Sequence, residues 1–115
     1  LRIDTDITGA NRAGIPSALV MTGVSTRKEV LGIKPEGRPN FILENMLELV
    51  DGYEAPRVVD DGFACLDAQV HFKNNKLAIV AGNPKGIGAL RAACAAIYSS
   101  SVPIYGLDIP AELYE

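Results

Sequence analysis

Arg2-Ile-Asp-Thr-Asp-Ile-Thr-Gly-Ala-Asn-Arg-Ala-Gly-Ile-Pro16, continued by Ala18-Leu-Val-Met-Thr-Gly-Val-Ser-Thr26, is the stretch on which the fold turns. Asp6 to Ala13 is polar and Ala-rich, and Gly14 follows where a helix needs a residue that tolerates left-handed backbone, so a short helix is expected there. Pro16 then introduces Ser17–Met21, a compact apolar run bounded by Gly and Pro, which suits a buried parallel strand. Thr26 and Glu29 have the spacing of a capping box and predict a further helical turn. Asp4 and Asp6 sit two apart ahead of a helix N-terminus. Clustered hard oxygens at such a place are what a Mg²⁺ site for phosphoryl transfer requires, while the structural alternative is that one of them simply caps the helix.

Working outward, Gly32 to Pro39 is dense in Gly and Pro and reads as a loop. From Asn40, the residues Phe41, Leu43, Met46, Leu47, Leu49 and Val50 fall at helical spacing before Gly52, which predicts an amphipathic helix with a glycine stop. After a second loop with Pro56, Asp60, Asp61 and Gly62, the run Phe63, Cys65, Ala68, Val70 and Phe72 leads to Asn74–Asn75. Leu77, Ile79 and Val80 then leave the turn, as expected of a β-hairpin. Gly82-Asn-Pro-Lys-Gly-Ile-Gly88 opens an Ala-rich helix from Ala89 to about Tyr98. Backbone amides at such a glycine-rich helix start, with Lys85 and Gly86, are a candidate phosphate cradle, set against a plain strand-to-helix turn. Val102–Tyr105 is expected to be a last short strand.

The chain has 115 residues, with 14 acidic against 11 basic side chains and a net charge of −3. Nearly half of it is hydrophobic, enough for one modest core, and disorder is not expected. The acidic balance, without any Lys/Arg run, offers no electrostatic footprint for nucleic acid or anionic lipid. The longest apolar runs, Ile15–Val24 and Leu77–Ala81, fall short of the roughly 18–20 residues a bilayer span needs. Cys65 and Cys94 are too few and too far apart for a metal knuckle or redox motif and read as buried reduced thiols in a cytoplasmic protein. His71, alternating with Val70 and Phe72, reads as a strand histidine and not a metal ligand.

The opening stretch resembles the fourth sequence motif of haloacid-dehalogenase-like (HAD) hydrolases. It is most similar to the class IIA, NagD-like and 4-nitrophenylphosphatase-like branch, in which Thr-Asp-Ile, Ala-Gly and a Leu-Val-x-Thr-Gly-Val-Ser strand follow in that order. Pro39-Asn-Phe-Ile-Leu-Glu-Asn-Met-Leu-Glu-Leu49 resembles the last helix region of the same branch. The resemblance implies an α/β chain: residues 1–52 as the C-terminal portion of a doubly wound HAD-like core, and residues 53–115 as an α+β tail with the β-hairpin and the Ala-rich helix. It also implies a Mg²⁺-dependent phosphomonoesterase working through an aspartyl-phosphate on a small phosphorylated metabolite, with Asp6 at the motif's second metal-binding acid and Leu1 where the first would stand. The nucleophile motif would precede this point, so the chain is expected to be a fragment, inactive alone and prone to self-association. Two alternatives stay open. One is a non-enzymatic α/β structural or partner-binding module. The other is a miniature phosphatase in which Asp4-Thr-Asp-Ile-Thr8 is itself a nucleophile motif, with Asp4 attacking phosphorus.

Overall fold

In a computed structural model of the chain, residues 6–21 and 25–115 are described, and they divide into two compact units, residues 1–53 and 54–115. Asp4 and Thr22 lie outside the described residues.

The first unit is built on a parallel pair. In α1 (Thr8–Arg12) the chain makes little more than a turn, ending at Gly14 with φ +71°. β1 (Ala18–Val20) follows, and α2 (Arg27–Leu31) carries the expected capping box: the Glu29 N–H donates to Thr26 Oγ1 at 3.2 Å and the Thr26 N–H to Glu29 Oε1 at 3.1 Å. The Gly/Pro segment is a loop holding a 3₁₀ turn, Pro35–Gly37. β2 (Phe41–Leu43) then pairs in parallel with β1, Leu19 opposite Ile42. Ile7, Leu19, Val30, Leu31, Ile42 and Leu43 are buried and form the core.

Here the amphipathic helix expected from Asn40 is corrected. Phe41-Ile-Leu43 is a strand, because Asn40 and Phe41 hand their N–H groups to Ser17 O, at 2.9 and 3.1 Å, and dock the segment beside β1. Asn45 then turns the chain, its Oδ1 accepting the Leu47 N–H at 2.9 Å, and helix appears only as the short α3 (Glu48–Asp51). Met46, Leu47, Leu49 and Val50 are exposed, Val50 to 83%. Periodicity counted apolar residues correctly but could not see that a strand partner claimed the first of them.

The second unit is an antiparallel meander of four strands under one helix. β3 (Arg57–Val59), β4 (Gly62–Cys65), β5 (Ala68–Lys73) and β6 (Lys76–Ala81) pair in sequential order. The turn at Asn74–Asn75 stands where expected, both residues at positive φ as a tight hairpin turn needs. The single hairpin is nevertheless too simple a reading. Leu66, at φ +53°, turns the chain between β4 and β5, and Asp61, at φ +61°, turns it between β3 and β4, which adds two strands' worth of pairing. The expected strand at Val102–Tyr105 is also corrected: Ile104–Gly106 is a 3₁₀ turn after Pro103, which fixes its φ and has no N–H for a ladder. The edge of β6 is blunted at both ends. Asp108 takes the Leu77 N–H at 2.9 Å, and the register with β5 slips near Gln69/Val70.

α4 (Ile87–Ser99) packs on β4 and β5 and buries Leu90, Ala92, Ala93, Cys94, Ala96 and Ile97. Its small residues let it sit close. A Cβ at Gly88 would stand 2.6 Å from the carbonyl oxygen of Cys65. Arg91 is 1% exposed, and its guanidinium donates to Glu54 O at 3.3 Å, as does the Cys65 thiol. Both cysteines are buried thiols outside any disulfide, as the sequence suggested. No helix among the described residues is long and apolar enough to cross a membrane.

Replacing Gly88 by Ala sets a helix-propensity gain of about 1 kcal/mol against overpacking on a backbone atom, about 1–3 kcal/mol. A net loss is expected, read as a lower urea midpoint; an unchanged or raised midpoint would refute the close seating. Burial pushes the Cys65 thiol above its ordinary value of 9.0, with Arg91 opposing in part. A raised native pKa means that the unfolded thiol ionises first. This contribution is complete below the ordinary value and is lost as pH rises from there through the native value. Stability measured from pH 8 to 11 should fall more steeply in the natural chain than in Cys65→Ala; parallel slopes would show that Cys65 contributes nothing.

Candidate functional site

Asp6 is exposed and lies with Ile7 in a π turn that runs into α1. Ile7, fully buried, anchors that turn to the core of the first unit. None of the side chains from Thr8 to Arg12 is buried, so α1 is held by something other than an apolar face. One contact that holds it comes from Asn11. Its Nδ2 donates to Glu36 O and to Arg38 O, both at 2.9 Å, clamping α1 to the 34–38 loop. The loop is a firm abutment: Gly37 N–H bonds Lys34 O at 2.9 Å, and Arg38 Nε bonds Ile33 O at 3.0 Å. Beside this junction Thr8, Glu29, Ile33, Lys34, Glu36 and Gly37 line an open cleft of about 340 Å³.

Sequence reading passed over Asn11. The available signal was a carboxamide inside a very short helix, where Asn competes with the backbone and is kept when it has a partner elsewhere. Tyr53 was passed over as well. Its hydroxyl accepts the Ile42 N–H at 3.1 Å on the outer edge of β2, and its ring meets Phe41 edge-on with centroids 5.3 Å apart. Arg91, a charge in the middle of an Ala-rich helix, had a visible signal of the same kind.

Among the described residues, no three His, Cys, Asp or Glu side chains converge as a metal cluster. Asp6 offers one hard oxygen donor, and an ion such as Mg²⁺, which keeps several of its waters, would need its other protein ligands from beyond the described residues.

The second candidate, Gly82 to Gly88, belongs to the other unit. Gly82 adopts φ +88°, and a Cβ there would meet Asp67 O at 2.6 Å, so glycine is required at this bend. The loop's amides are engaged internally. Asn83 N–H donates to the Asp67 carboxylate at 3.1 Å, Lys85 N–H to Asn83 Oδ1 at 3.0 Å and Gly86 N–H to Asn83 O at 2.9 Å. The Lys85 ammonium bonds the Glu115 carbonyl. Gly86 is the N-cap of α4, without a side-chain cap bond.

Residues 2–49 match the HAD-hydrolase-like family model. Over 48 residues the chain is 44% identical to the D-glycerol 3-phosphate phosphatase of Mycobacterium tuberculosis, a match covering 42% of this chain and 14% of that protein. The fold resembles the glycerol phosphate phosphatase of M. tuberculosis crystallised with magnesium, with a TM-score of 0.69 and 26% identity over 95% of this chain and 32% of that one. The same enzyme crystallised with calcium gives a TM-score of 0.63 over 94% of this chain and 33% of that one. The chain thus spans about a third of the length of the solved relatives. Residues 2–49 thus resemble the HAD-hydrolase-like family in sequence, and nearly the whole chain resembles part of a glycerol phosphate phosphatase in fold.

Proposed function

We propose that this chain carries the end of the catalytic core of a Mg²⁺-dependent phosphomonoesterase of the class IIA, NagD-like branch, with residues 53–115 as a hairpin–helix tail, in the cytoplasm. The observation that carries the reading is the family-model match over residues 2–49, the segment that holds Asp6, beside a 44% identity over 48 residues to a glycerol 3-phosphate phosphatase. A small phosphomonoester is the substrate class, with glycerol phosphate the first compound to try. Asp6 is the metal ligand in this reading. Mg²⁺ would neutralise phosphate charge there, and the chain's own contribution is to hold an exposed carboxylate on a turn pinned by Ile7.

In such a mechanism an aspartate oxygen bonds phosphorus as the P–O bond to the leaving alcohol breaks, and the alcohol takes a proton from a general acid. Water then releases phosphate. No described residue is assigned the nucleophile, and the chain alone is inactive in this reading. Lys85 and Gly86 remain a secondary phosphate contact. With their amides already bonded, only the Lys85 ammonium, now on Glu115 O, would supply charge.

The same reading includes self-association. A two-stranded parallel sheet is far short of what such sheets need for burial. Tyr53 closes the outer edge of β2, while among the described residues β1 pairs with β2 alone.

Mg²⁺-dependent hydrolysis of 4-nitrophenyl phosphate and glycerol phosphate by the chain is expected to stay at background. Turnover that disappears in Asp4→Asn would overturn this reading in favour of a complete small phosphatase. Sedimentation over a tenfold concentration range should show association, weakened by Val20→Lys on β1; a monomer throughout would remove self-association from the proposal.

A further inference from the structure

We infer that the tail at residues 107–113 is a releasable guard on the outer edge of β6, and that the edge it guards is a pairing surface for a second copy of the chain. The inference lies wholly in the second unit and does not rest on the phosphatase reading. β6 carries the apolar run Leu77-Ala-Ile-Val-Ala81, and among the described residues no named strand pairs with it on the side away from β5. The Leu77 N–H reaches Asp108 O at 2.9 Å, so the backbone of Leu77 faces outward. With Leu77 opposite Phe72 and Ile79 opposite Val70, the alternation of an antiparallel ladder aims the N–H and C=O of Ile79 the same way.

The tail takes one rung of this edge. Asp108 O accepts the Leu77 N–H, and Asp108 N–H donates to Asn75 O at 2.8 Å, the two bonds of a parallel bridge at Lys76. A next rung would need a donor at residue 110, and Pro110 has none. The tail therefore leaves the edge after a single bridge. Contacts that hold it farther on include the buried Leu113 and the Lys85 ammonium on the Glu115 carbonyl. One bridge on an irregular segment opens more readily than a continuous ladder. The register slip at Gln69/Val70 is built into the sheet, so the tail is the part of the edge protection that can be released.

A second copy fits the uncovered edge by its own sequence. An antiparallel pair with a two-fold axis at Ala78 sets Leu77 of each copy opposite Ile79 of the other, residues whose backbone groups both face outward. Lys76 then faces the exposed Val80, so no like charges are opposed. Each hydrogen-bonded pair contains one Leu77. A single tail rung on each copy therefore blocks the whole interface.

The test opens the tail in the full chain carrying Val20→Lys, so that association through β1 is weakened. Asp108→Pro removes the donor to Asn75 O, and Leu113→Ala trims the buried anchor. Either should speed hydrogen exchange of the Leu77 amide about tenfold and produce a concentration-dependent dimer in sedimentation. Adding Val80→Lys should restore the monomer by setting a like charge against Lys76, and adding Lys76→Glu to that should bring the dimer back. A chain that stays monomeric although its Leu77 amide exchanges faster would overturn the pairing surface. An unchanged Leu77 amide would overturn the guard, and a dimer indifferent to Val80→Lys would overturn the proposal by placing the contact elsewhere. Should Leu113→Ala lose its cooperative unfolding transition, Asp108→Pro, which keeps the buried leucine, decides by the same readings.

Discussion

The parallel pairing of β1 with β2 is the constraint on which the first unit depends. Parallel neighbours cannot be joined by a tight turn, so the chain must leave the end of β1, cross over and return to the start of β2. α2 and the Gly/Pro loop are that crossover, and the requirement explains their composition. The Thr26–Glu29 capping box starts the helix, and Pro35 and Pro39 stiffen the return. Ser17 O, taking both the Asn40 and Phe41 N–H groups, sets the register in which Leu19 and Ile42 enter the core together. The loop, once fixed, becomes the wall to which Asn11 fastens α1. The candidate site is thus held indirectly by a strand pairing it does not contain.

In the second unit, local contacts suffice. Each strand pairs with the next, and the turns are short, with positive φ at Asp61, Leu66, Asn74 and Asn75. The helix can approach so closely because Gly88 leaves no Cβ to collide with Cys65 O. Its inward face is almost all Ala, Leu and Ile, with Arg91 as the exception. A buried guanidinium is costly unless its hydrogens are satisfied, and the Glu54 carbonyl, shared with the Cys65 thiol, ties the first residues of the unit to its helix.

Much of this was legible in residue order because it is local. The helix stop at Gly14, the strand at Ala18–Val20, the capping box, the asparagine turn and the Ala-rich helix each rest on chemistry within a few residues. The family likeness was legible for the same reason, since Thr-Asp-Ile and Ala-Gly lie in one unbroken stretch matched by the family model. The misreadings share a different cause. Phe41-Ile-Leu43 has the spacing of a helix and the β-branched, aromatic character of a strand, and only a neighbour more than twenty residues away decides between them. Leu66 at positive φ carries no turn signature, because leucine is there for the fold's convenience and not for its own preference.

Sequence alone determined which chemistry this chain can offer: a carboxylate in a HAD-like motif, an acidic balance, and no run of Lys or Arg. Only the tertiary structure decided how that carboxylate is held. Asn11 meets carbonyls 25 and 27 residues away, and Tyr53 closes a strand edge 11 residues back. A carboxamide or a phenol has no marked partner in the residue string. Its hydrogen-bond partners are chosen by whichever backbone groups folding brings within about 3 Å, and that proximity belongs to the fold as a whole.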